Sequence, residues 1–409
     1  MTDPPRPGIH VPPPSIASGG HPLPERFSAA SSATVRRRRR APHGLLFGLI
    51  AGVALIAIVA TVQVTANLGY DSAAAQYADA THDVAVTKAD AVEQIADLRG
   101  TTAAATSILT SEGRAITAGT DLEAALGAAV EEGETTASRA EEIAAADPPH
   151  SGAKPVVFWE LFEATNRLEQ QRDDAERLSQ DLTAETARIA DAKAAITASG
   201  VAVVSSAGEA AAGFEGAHPS ARNEAVIALR TAASDAIATT AVDDGAATTY
   251  LSLQDAAAQV VATENEEMAE KAGPLRDARL EIEAFARSLA PGVLLEFDWS
   301  DVVNGAGYNG SMGGYTTWWW DDPGRANIEL SNSVAEQWPA ARSKALIAHE
   351  VGHAISVKCQ GMYDASTQDS IEKWATAWAI GMGFTDDANG VWAYGYPPQN
   401  YIDAAAGCR

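Results

Sequence analysis

The sequence predicts one transmembrane helix, then an all-α extended helical bundle or coiled-coil stalk, then a small α+β domain. Three observations indicate this fold class. Residues 44–66 carry no charge, and residues 67–290 are rich in Ala, Glu, Asp and Thr with helical periodicity. At Pro291 the composition changes, since eight of the nine tryptophans lie at or after Trp299. The predicted parts are therefore residues 1–43, 44–66, 67–290 and 291–409.

Residues 1–43 are predicted to be a disordered cytoplasmic tail, because they hold nine of the nineteen prolines and little that could form a core. Residues 44–66 are long enough to cross a bilayer as a helix. The arginines Arg36–Arg40 precede them directly, so the positive-inside rule places the N-terminus in the cytoplasm and the C-terminal domain outside the cell membrane. The alternative is a signal peptide cleaved after Ala66, but the region before its apolar core is too long.

The charge is unevenly distributed. The whole chain has a formal net charge of −25, and residues 1–43 hold seven arginines against two acids, so residues 67–409 carry −30. Such a surface repels nucleic acid and anionic lipid headgroups. We therefore expect a lipid bilayer as partner through residues 44–66, and no nucleic acid. The two cysteines, Cys359 and Cys408, predict one disulfide in an exported segment.

The segment from Asp71 to about Leu289 predicts long helices that pack as an antiparallel bundle or stalk, which also allows self-association. No metal cluster or nucleophile is recognisable in it, so a spacer or interaction module is the plain interpretation. Helix breaks are predicted at residues 147–155, at Ser199-Gly200, at residues 213–219 and at residues 243–245.

The last part predicts a short sheet followed by two helices. The first helix is expected to be capped by Asn332 or Ser333 and to continue without a breaker after Pro339. The second is expected to begin at Ser366 and to end near Ile380. The predicted strands are VLLEFDW (293–299), YTTWWW (315–320) and ANIELS (326–331).

The first of these helices contains the sequence His-Glu-Val-Gly-His at residues 349–353. On a helix, His349 and His353 leave the same face one turn apart. Two ring nitrogens so placed can bind one Zn²⁺. Glu350 is then placed to accept a proton from a metal-bound water.

A catalytic zinc site needs a third protein ligand and one open position. No histidine follows His353, so the third ligand is sought among the downstream carboxylates. Glu372 is the prediction, because it lies in the first turns of the second helix, whose apolar face could pack on the motif helix. The carboxylates considered are Asp364, Asp369, Glu372, Asp386, Asp387 and Asp403.

The motif His349-Glu350-x-x-His353, followed after 18 residues by Glu372, resembles the gluzincin zinc metallopeptidases. The resemblance covers about residues 291–409. It implies a zincin fold with a peptide substrate along the edge strand of a small sheet, and ANIELS is the candidate edge strand. It also implies that His349, His353 and Glu372 bind zinc and that Glu350 is the general base.

The chain departs from this group in two places. The thermolysin-like branch has an Asp where this chain has Thr376, and the segment Gly310–Gly314 lacks the Glu of the aminopeptidase branch. The oxyanion is stabilised in these families by a His or Tyr. Tyr394, Tyr396 and Tyr401 are candidates that the sequence does not rank, and Tyr396 is the residue we assign.

The expected activity is hydrolysis of a peptide bond in a protein or peptide of the cell envelope or outside the cell. Two alternatives remain open at the level of sequence. One is a membrane-anchored scaffold with a structural or vestigial zinc site, and the other is a hydrolase of peptidoglycan cross-links.

Overall fold

A computed structural model describes residues 43–303 and 313–409. The disordered tail predicted for residues 1–43 therefore lies outside the described residues except for His43, and so does most of the segment Gly310–Gly314. Contacts divide the described residues into two units, with the boundary between Thr65 and Ala66. The described part is mostly helical and has a small three-stranded sheet near its C-terminus.

Helix α1 (His43–Thr110) contains the uncharged segment and continues beyond it. Its most apolar window is only 6% buried, and its length and composition would allow it to cross a membrane. Helix α3 (Phe158–Ala217) meets the same criteria, but 39% of its window is buried. A core helix with an apolar stripe gives that result. The two helices are thus compatible with membrane association.

Four further helices complete the helical part. Helices α1 and α2 are antiparallel, with Arg99 paired to Glu141, whereas α3 runs parallel to α1 and its Arg172 donates to Gln76. The core between them is built from alanine and scattered larger side chains, of which Leu98, Leu126, Leu161 and Leu182 are fully buried. The bounds are α2 (Thr120–Ala144), α4 (Asn223–Ile237), α5 (Asp244–Glu270) and α6 (Arg276–Leu289).

One predicted helix break is wrong, and two breaks, at residues 111–119 and 271–275, are missing from the prediction. Helix α3 continues through Ser199-Gly200. A Cβ on Gly200 would lie 2.6 Å from a methyl group of Val242, so this glycine allows close packing rather than ending a helix. The chain turns instead at residues 111–119, where Gly113 and Gly119 have φ of +66° and +99°.

The three predicted strands are present as β1 (Leu294–Ser300), β2 (Gly314–Trp319) and β3 (Asp322–Ser331). The order is β1-β3-β2, with β3 parallel to β1 and antiparallel to β2. The ANIELS segment therefore lies in the central strand, and its prediction as the edge strand is wrong. Alternation of apolar residues reports which face of a strand is buried, but it does not report the position of the strand in the sheet.

The predicted motif helix is divided in two, because residues 337–340 around Pro339 interrupt it. The predicted second helix is present, but its cap is Thr367, whose hydroxyl accepts a hydrogen bond from the Ser370 amide; the predicted cap Ser366 bonds Asp364 instead. The bounds are α7 (Asn332–Glu336), α8 (Ala341–Ser356), α9 (Gln368–Gly381), α10 (Val391–Tyr394) and α11 (Gln399–Ala405).

A second core lies between the sheet and helices α8 and α9, and Trp374 and Trp378 of α9 are fully buried in it. The predicted disulfide between Cys359 and Cys408 is confirmed. It joins the 3₁₀ turn after α8 to the C-terminus, so the segment that contains α9 is closed at both ends.

Polar groups connect the helical part to this core. The side-chain amide of Asn223, the first residue of α4, donates to the carbonyl oxygen of Ala326 on β3 at 3.1 Å. Beside it, the buried Lys271 lies between the carboxylates of Glu267 on α5 and Glu283 on α6, at 2.7 and 3.4 Å. The sheet is thus fixed directly to the start of α4, and it is linked to the end of α5 through Glu283, which also accepts a hydrogen bond from the indole of Trp299 on β1.

Candidate metal centre

Helix α8 brings the two motif histidines together on one buried face. The Nε2 atoms of His349 and His353 are 3.2 Å apart, and the two rings are perpendicular. Helix α9 adds the carboxylate of Glu372, whose Oε2 lies 3.2 Å from the Nε2 of His349 and 3.1 Å from that of His353. The three residues predicted as ligands therefore form one cluster, which could hold a metal ion.

The spacing of the three atoms suits a small tetrahedral ion. With ligand bonds of about 2.0–2.1 Å, neighbouring ligand atoms around such an ion are about 3.3 Å apart. The observed separations of 3.1–3.2 Å are close to that value. Two imidazoles and one carboxylate are also a donor set that zinc accepts in catalytic sites. The residues therefore fit a zinc ion.

The ring of His349 is held in one tautomer by the loop before α10. Its Nδ1 lies 2.9 Å from the carbonyl oxygen of Asn389, which can only accept, so Nδ1 carries the proton and Nε2 is free to bind a metal. The hydroxyl of Thr376 is 3.3 Å from the same nitrogen, in the position that an Asp occupies in the thermolysin-like branch. Sequence reasoning missed Asn389, although Asn389-Gly390 is a recognisable turn signal.

Gly390 is required by the same loop. Its φ is +104°, and a Cβ there would lie 2.2 Å from the hydroxyl oxygen of Thr376 and 2.7 Å from the His349 ring. Both the backbone conformation and the space exclude a side chain. The backbone of Gly390 therefore limits the positions that the His349 ring can take.

The ring of His353 is placed by stacking. The indole of Trp318 on β2 lies parallel to it at 5.3 Å. Among the described residues, the Nδ1 of His353 is buried without a hydrogen-bond partner. The orientation of His353 therefore depends on packing, whereas that of His349 depends on hydrogen bonds.

Glu372 reaches the histidines because helices α8 and α9 approach each other closely at Gly352. A Cβ on Gly352 would lie 2.8 Å from the carbonyl oxygen of Ala375. The second variable position of the motif is thus glycine for a structural reason. Burial raises the pKa of Glu372, but the hydrogen bonds and charges of His349 and His353 outweigh it and hold the pKa well below the usual range.

Glu350 lies beside the cluster, between α8 and strand β2. Its carboxylate accepts a hydrogen bond of 2.8 Å from the hydroxyl of Thr316, and a Cβ on Gly314 would lie 2.7 Å from its other oxygen. Burial raises the pKa of Glu350 to about 7, and the charge of His349 and the Thr316 hydrogen bond lower it in part. A carboxylate with this pKa can accept a proton near neutral pH and release it again.

Of the three tyrosines, the structure places Tyr394 and not Tyr396 at the cluster. The ring of Tyr394 stacks on His349 at 5.8 Å, whereas the side chain of Tyr396 is 67% exposed. Burial, the carboxylates of Glu372 and Glu350 and a hydrogen bond to Glu372 raise the pKa of Tyr394 to about 12. The structure therefore brings Tyr394 to the cluster in place of the assigned Tyr396, because the single turn of α10 presents Tyr394. Tyr401 lies elsewhere and bonds the hydroxyl of Ser370 at 2.7 Å.

The remaining acids considered as third ligands have other positions. Most of them serve local structure, as a side-chain acceptor for a nearby serine, lysine, amide or glutamine, and one lines the cavity beside the cluster. They are Asp364 with Ser366, Asp369 with Lys373, Asp386 with the Ala388 amide, Asp403 with Gln399, and Asp387 at the cavity.

A cavity of about 260 Å³ opens at the cluster, and its walls include His349, Glu350, Arg342, Leu346, Trp392 and Tyr394. Of the cluster and its neighbouring base, His349 and Glu350 line this cavity. The arrangement brings together three side chains that could hold a metal ion, a buried carboxylate and a tyrosine. No family model, curated protein or solved structure matches the chain.

Proposed function

We propose that residues 291–409 form a zinc-dependent peptidase domain of the gluzincin type and that residues 44–66 anchor it to a membrane. The observation that carries the proposal is the cluster of His349, His353 and Glu372 with the buried carboxylate of Glu350 beside it. The same four residues, in the same roles, are implied by the resemblance of the motif.

His349, His353 and Glu372 would hold the zinc ion. When bound, it would supply Lewis acidity, lowering the pKa of a water molecule and polarising the scissile carbonyl. Glu350 takes the proton of the attacking water and transfers it to the leaving amine. Thr316 keeps the Glu350 carboxylate in one orientation through its hydrogen bond.

Tyr394 is the residue that we propose for the oxyanion. Its pKa of about 12 keeps the phenol protonated at neutral pH, so it can donate a hydrogen bond to a developing negative charge. Its ring lies on His349 and lines the cavity, within reach of a substrate held there.

The peptide substrate is proposed to lie along strand β2. In the described part of the sheet, β2 pairs with β3 on one side and has its other edge unpaired. An extended peptide can add to such an edge through main-chain hydrogen bonds. Strand β2 also carries Thr316 and Trp318, which contact Glu350 and His353, so a peptide on this edge lies close to the base and the ligands.

The cavity beside His349 favours catalysis over a structural metal. Structural zinc sites have four protein ligands and are closed, whereas catalytic sites keep one position for water or substrate. Within the described residues, the cluster offers three ligand atoms and borders the cavity. The scaffold alternative does not account for a cavity beside the cluster.

The anchor and the orientation remain part of the proposal. Residues 44–66 cross the cell membrane once, with the N-terminus in the cytoplasm and the peptidase domain outside. The substrate is then a protein or peptide of the cell envelope or the surroundings. The helical part holds the site away from the bilayer and allows self-association, and its acidic surface disfavours nucleic acid.

Zinc content tests the metal site. Residues 67–409 are purified and the bound metal is measured by elemental mass spectrometry, beside His353→Ala and Glu372→Ala. We expect about one zinc per chain in the parent and loss or weakening in both variants. Asp369→Asn is the matched control, since this acid lies one turn before Glu372 on the same helix but pairs with Lys373. Zinc retained in Glu372→Ala would assign the third ligand elsewhere.

Activity separates the proposal from its two alternatives. Glu350→Gln should keep the zinc but lower peptide hydrolysis by about 10²–10⁴-fold, because a positioned general base contributes about that much. A zinc-loaded parent that cleaves no polypeptide and no murein would favour the scaffold with a structural metal. Release of peptides from purified murein, without cleavage of unfolded polypeptides, would identify the peptidoglycan hydrolase.

A further inference from the structure

The start of helix α3 exposes large apolar side chains that the helical core does not use. The side chains of Val156, Trp159 and Phe162 are 85%, 56% and 46% exposed, whereas Leu161 on the opposite face is fully buried. We call these three exposed residues the α3 collar. Exposed apolar side chains are ordinary one at a time, but three in seven residues, one of them tryptophan, indicate a surface with a partner.

The level of the α3 collar along the bundle follows from its contacts with α1. The two helices run parallel, and three polar contacts link Gln76 to Arg172, Thr87 to Ser179 and Asp97 to Lys193. The linked positions are 96, 92 and 96 residues apart in sequence. Applied to Phe162, this offset of about 95 residues gives a position level with Asn67.

That level is the end of the uncharged segment, which finishes at Ala66. Trp159 lies about one turn, or about 5 Å, further toward the start of α3. The loop before the collar is fixed at the same level, since Lys154 pairs with Asp71 at 2.6 Å and lies over the ring of Tyr70. The α3 collar is therefore at the end of the bundle from which the chain enters the uncharged segment.

We propose that the α3 collar lies in the interfacial layer of the membrane that residues 44–66 cross. Tryptophan and other amphipathic rings accumulate at the headgroup level, where an apolar body and a polar edge are both accommodated. This inference depends on the proposed anchor but not on the proposed peptidase. Its consequence is that the bundle contacts the bilayer at two places, the span and the collar, which limits the tilt of the helical part.

The partner is the apolar boundary of the bilayer and not an anionic headgroup. Glu160 and Glu163 lie between the collar residues and are exposed. Their charges repel anionic lipid, so the contact should form on zwitterionic vesicles and should not be strengthened by phosphatidylglycerol.

The test uses the full chain in phosphatidylcholine vesicles with an NBD label on Val156→Cys. The native cysteines are joined in a disulfide, so the introduced thiol is the one that reacts. A label on Asp181→Cys, about 38 Å further along α3, is the reference. With lipids that carry a doxyl group near the headgroup, we expect the label at 156 to lose about half or more of its emission and the label at 181 to lose little. Adding Trp159→Ser and Phe162→Ser should reduce the quenching of the label at 156 toward that of the label at 181.

Three outcomes would overturn the inference. In the first, the label at 156 is as accessible to iodide as the label at 181, while carbonate washing leaves the chain in the vesicles. The α3 collar then lies outside the interfacial layer, although the anchor is retained. If the label is protected from iodide but not quenched by doxyl lipid, protein covers the collar, in a second copy or another segment. If carbonate releases the chain, the anchor and the collar both fail, and neither result bears on the peptidase.

Discussion

Glu350 couples folding to pH in the metal-free protein. Its pKa is raised by burial from 4.5 to about 7, so the folded state binds this proton more tightly than the unfolded state does. Its contribution to stability is therefore fully present below about pH 4.5 and is lost as the pH rises through 7. Glu350→Gln keeps the shape and removes the charge. We expect the free energy of unfolding of the variant to equal that of the parent near pH 4.5 and to exceed it at pH 8 by up to about 3 kcal/mol.

Urea unfolding of both proteins at pH 4.5, 6 and 8 in the presence of a chelator measures this difference. Asp277→Asn is the control, because the Asp277 side chain is 92% exposed. The control should follow the parent at every pH. A Glu350→Gln protein less stable than the parent at pH 8 would show that the buried carboxylate is stabilised by its charge, contrary to the expectation.

Gly390 tests how far the loop before α10 controls the metal site. Gly390→Ala places a methyl group against Thr376 and the His349 ring, at 2.2 and 2.7 Å. The ring must move, so we expect zinc affinity to fall about 10–100-fold, the usual effect of losing a group that orients a ligand. Gly395→Ala is the matched control, since its φ is also positive, +80°, but nothing lies within 4 Å of the added Cβ.

Competition with a chromophoric chelator gives both zinc affinities, and circular dichroism checks that both variants are folded. Both alanines have the strain of a positive φ, so a difference between them isolates the contact with His349. Equal losses in the two variants would mean that backbone strain, and not the position of the ring, weakens the site.

The sequence was sufficient to find four side chains of the site because their spacing is local. His349, His353 and Glu350 follow from the period of one helix, and Glu372 from the next helix. Thr316 and Asn389 could not be found in this way, because they reach the site from a strand and a loop through tertiary packing. Tyr394 and Tyr396 differ by two residues, and only the turn of α10 distinguishes them.

At the scale of elements, the disulfide closes the segment that supplies Glu372. It joins Cys359 to Cys408 across 49 residues, which contain α9 and the loop of Asn389. Closing a loop of that length stabilises a fold by about 4 kcal/mol in the chain-entropy model, and measured values are usually lower. We expect Cys359→Ala with Cys408→Ala to lose about 2–4 kcal/mol of stability and to bind zinc more weakly.

Urea unfolding and zinc titration of the double variant measure both effects. Reduction of the parent should reproduce them, whereas reduction of the double variant should change nothing. A variant that loses stability but keeps its zinc affinity would show that the core fixes α9 without the disulfide.

The elements themselves were predictable to different degrees. The strands were found because β-rich runs are separated by turn residues, as at Leu294–Ser300. The order of the strands in the sheet could not be predicted, since it depends on contacts between residues distant in sequence. A glycine is ambiguous in the same way: Gly200 allows packing inside a helix, whereas Gly113 and Gly119 turn the chain. The local sequence is compatible with either role, and the neighbouring element decides it.

At the scale of residues 66–409, long helices separate two places of interest. The α3 collar lies at the start of α3, and that helix, at 60 residues, is about 90 Å long. The sheet that carries the site is fixed to the start of α4, near the other end of α3, through Asn223. A peptidase placed in this way would act on substrates well away from the membrane surface. Its reach would depend on the rigidity of the contacts of Asn223, Lys271 and Glu283 between the helical part and the sheet, which we call the junction.

The junction depends on buried charges. Lys271 is 2% exposed and lies 2.7 Å from Glu267, while Glu283 is completely buried and also bonds Arg287 and the indole of Trp299. Lys271→Met removes the positive charge that lies between Glu267 and Glu283, so the negative charges of these buried carboxylates are compensated less. Breaking a buried pair in this way costs about 3–5 kcal/mol. We expect a loss of stability near the lower value, because Arg222 still pairs with Glu267 and Arg287 still pairs with Glu283.

Lys373→Met is the matched control for this prediction. Lys373 also pairs with a carboxylate one turn earlier, Asp369, at 2.8 Å, but the Asp369 side chain is 70% exposed. Removing such a pair costs about 0–1 kcal/mol. Urea unfolding is followed by tryptophan fluorescence, which reports mostly on residues 291–409, and by far-ultraviolet circular dichroism, which reports mostly on the helices. If the junction transmits stability, Lys271→Met lowers both transitions together. A loss confined to one signal would show that the helical part and the site fold independently, and equal small losses in the two variants would show that Lys271 contributes no more than a surface pair.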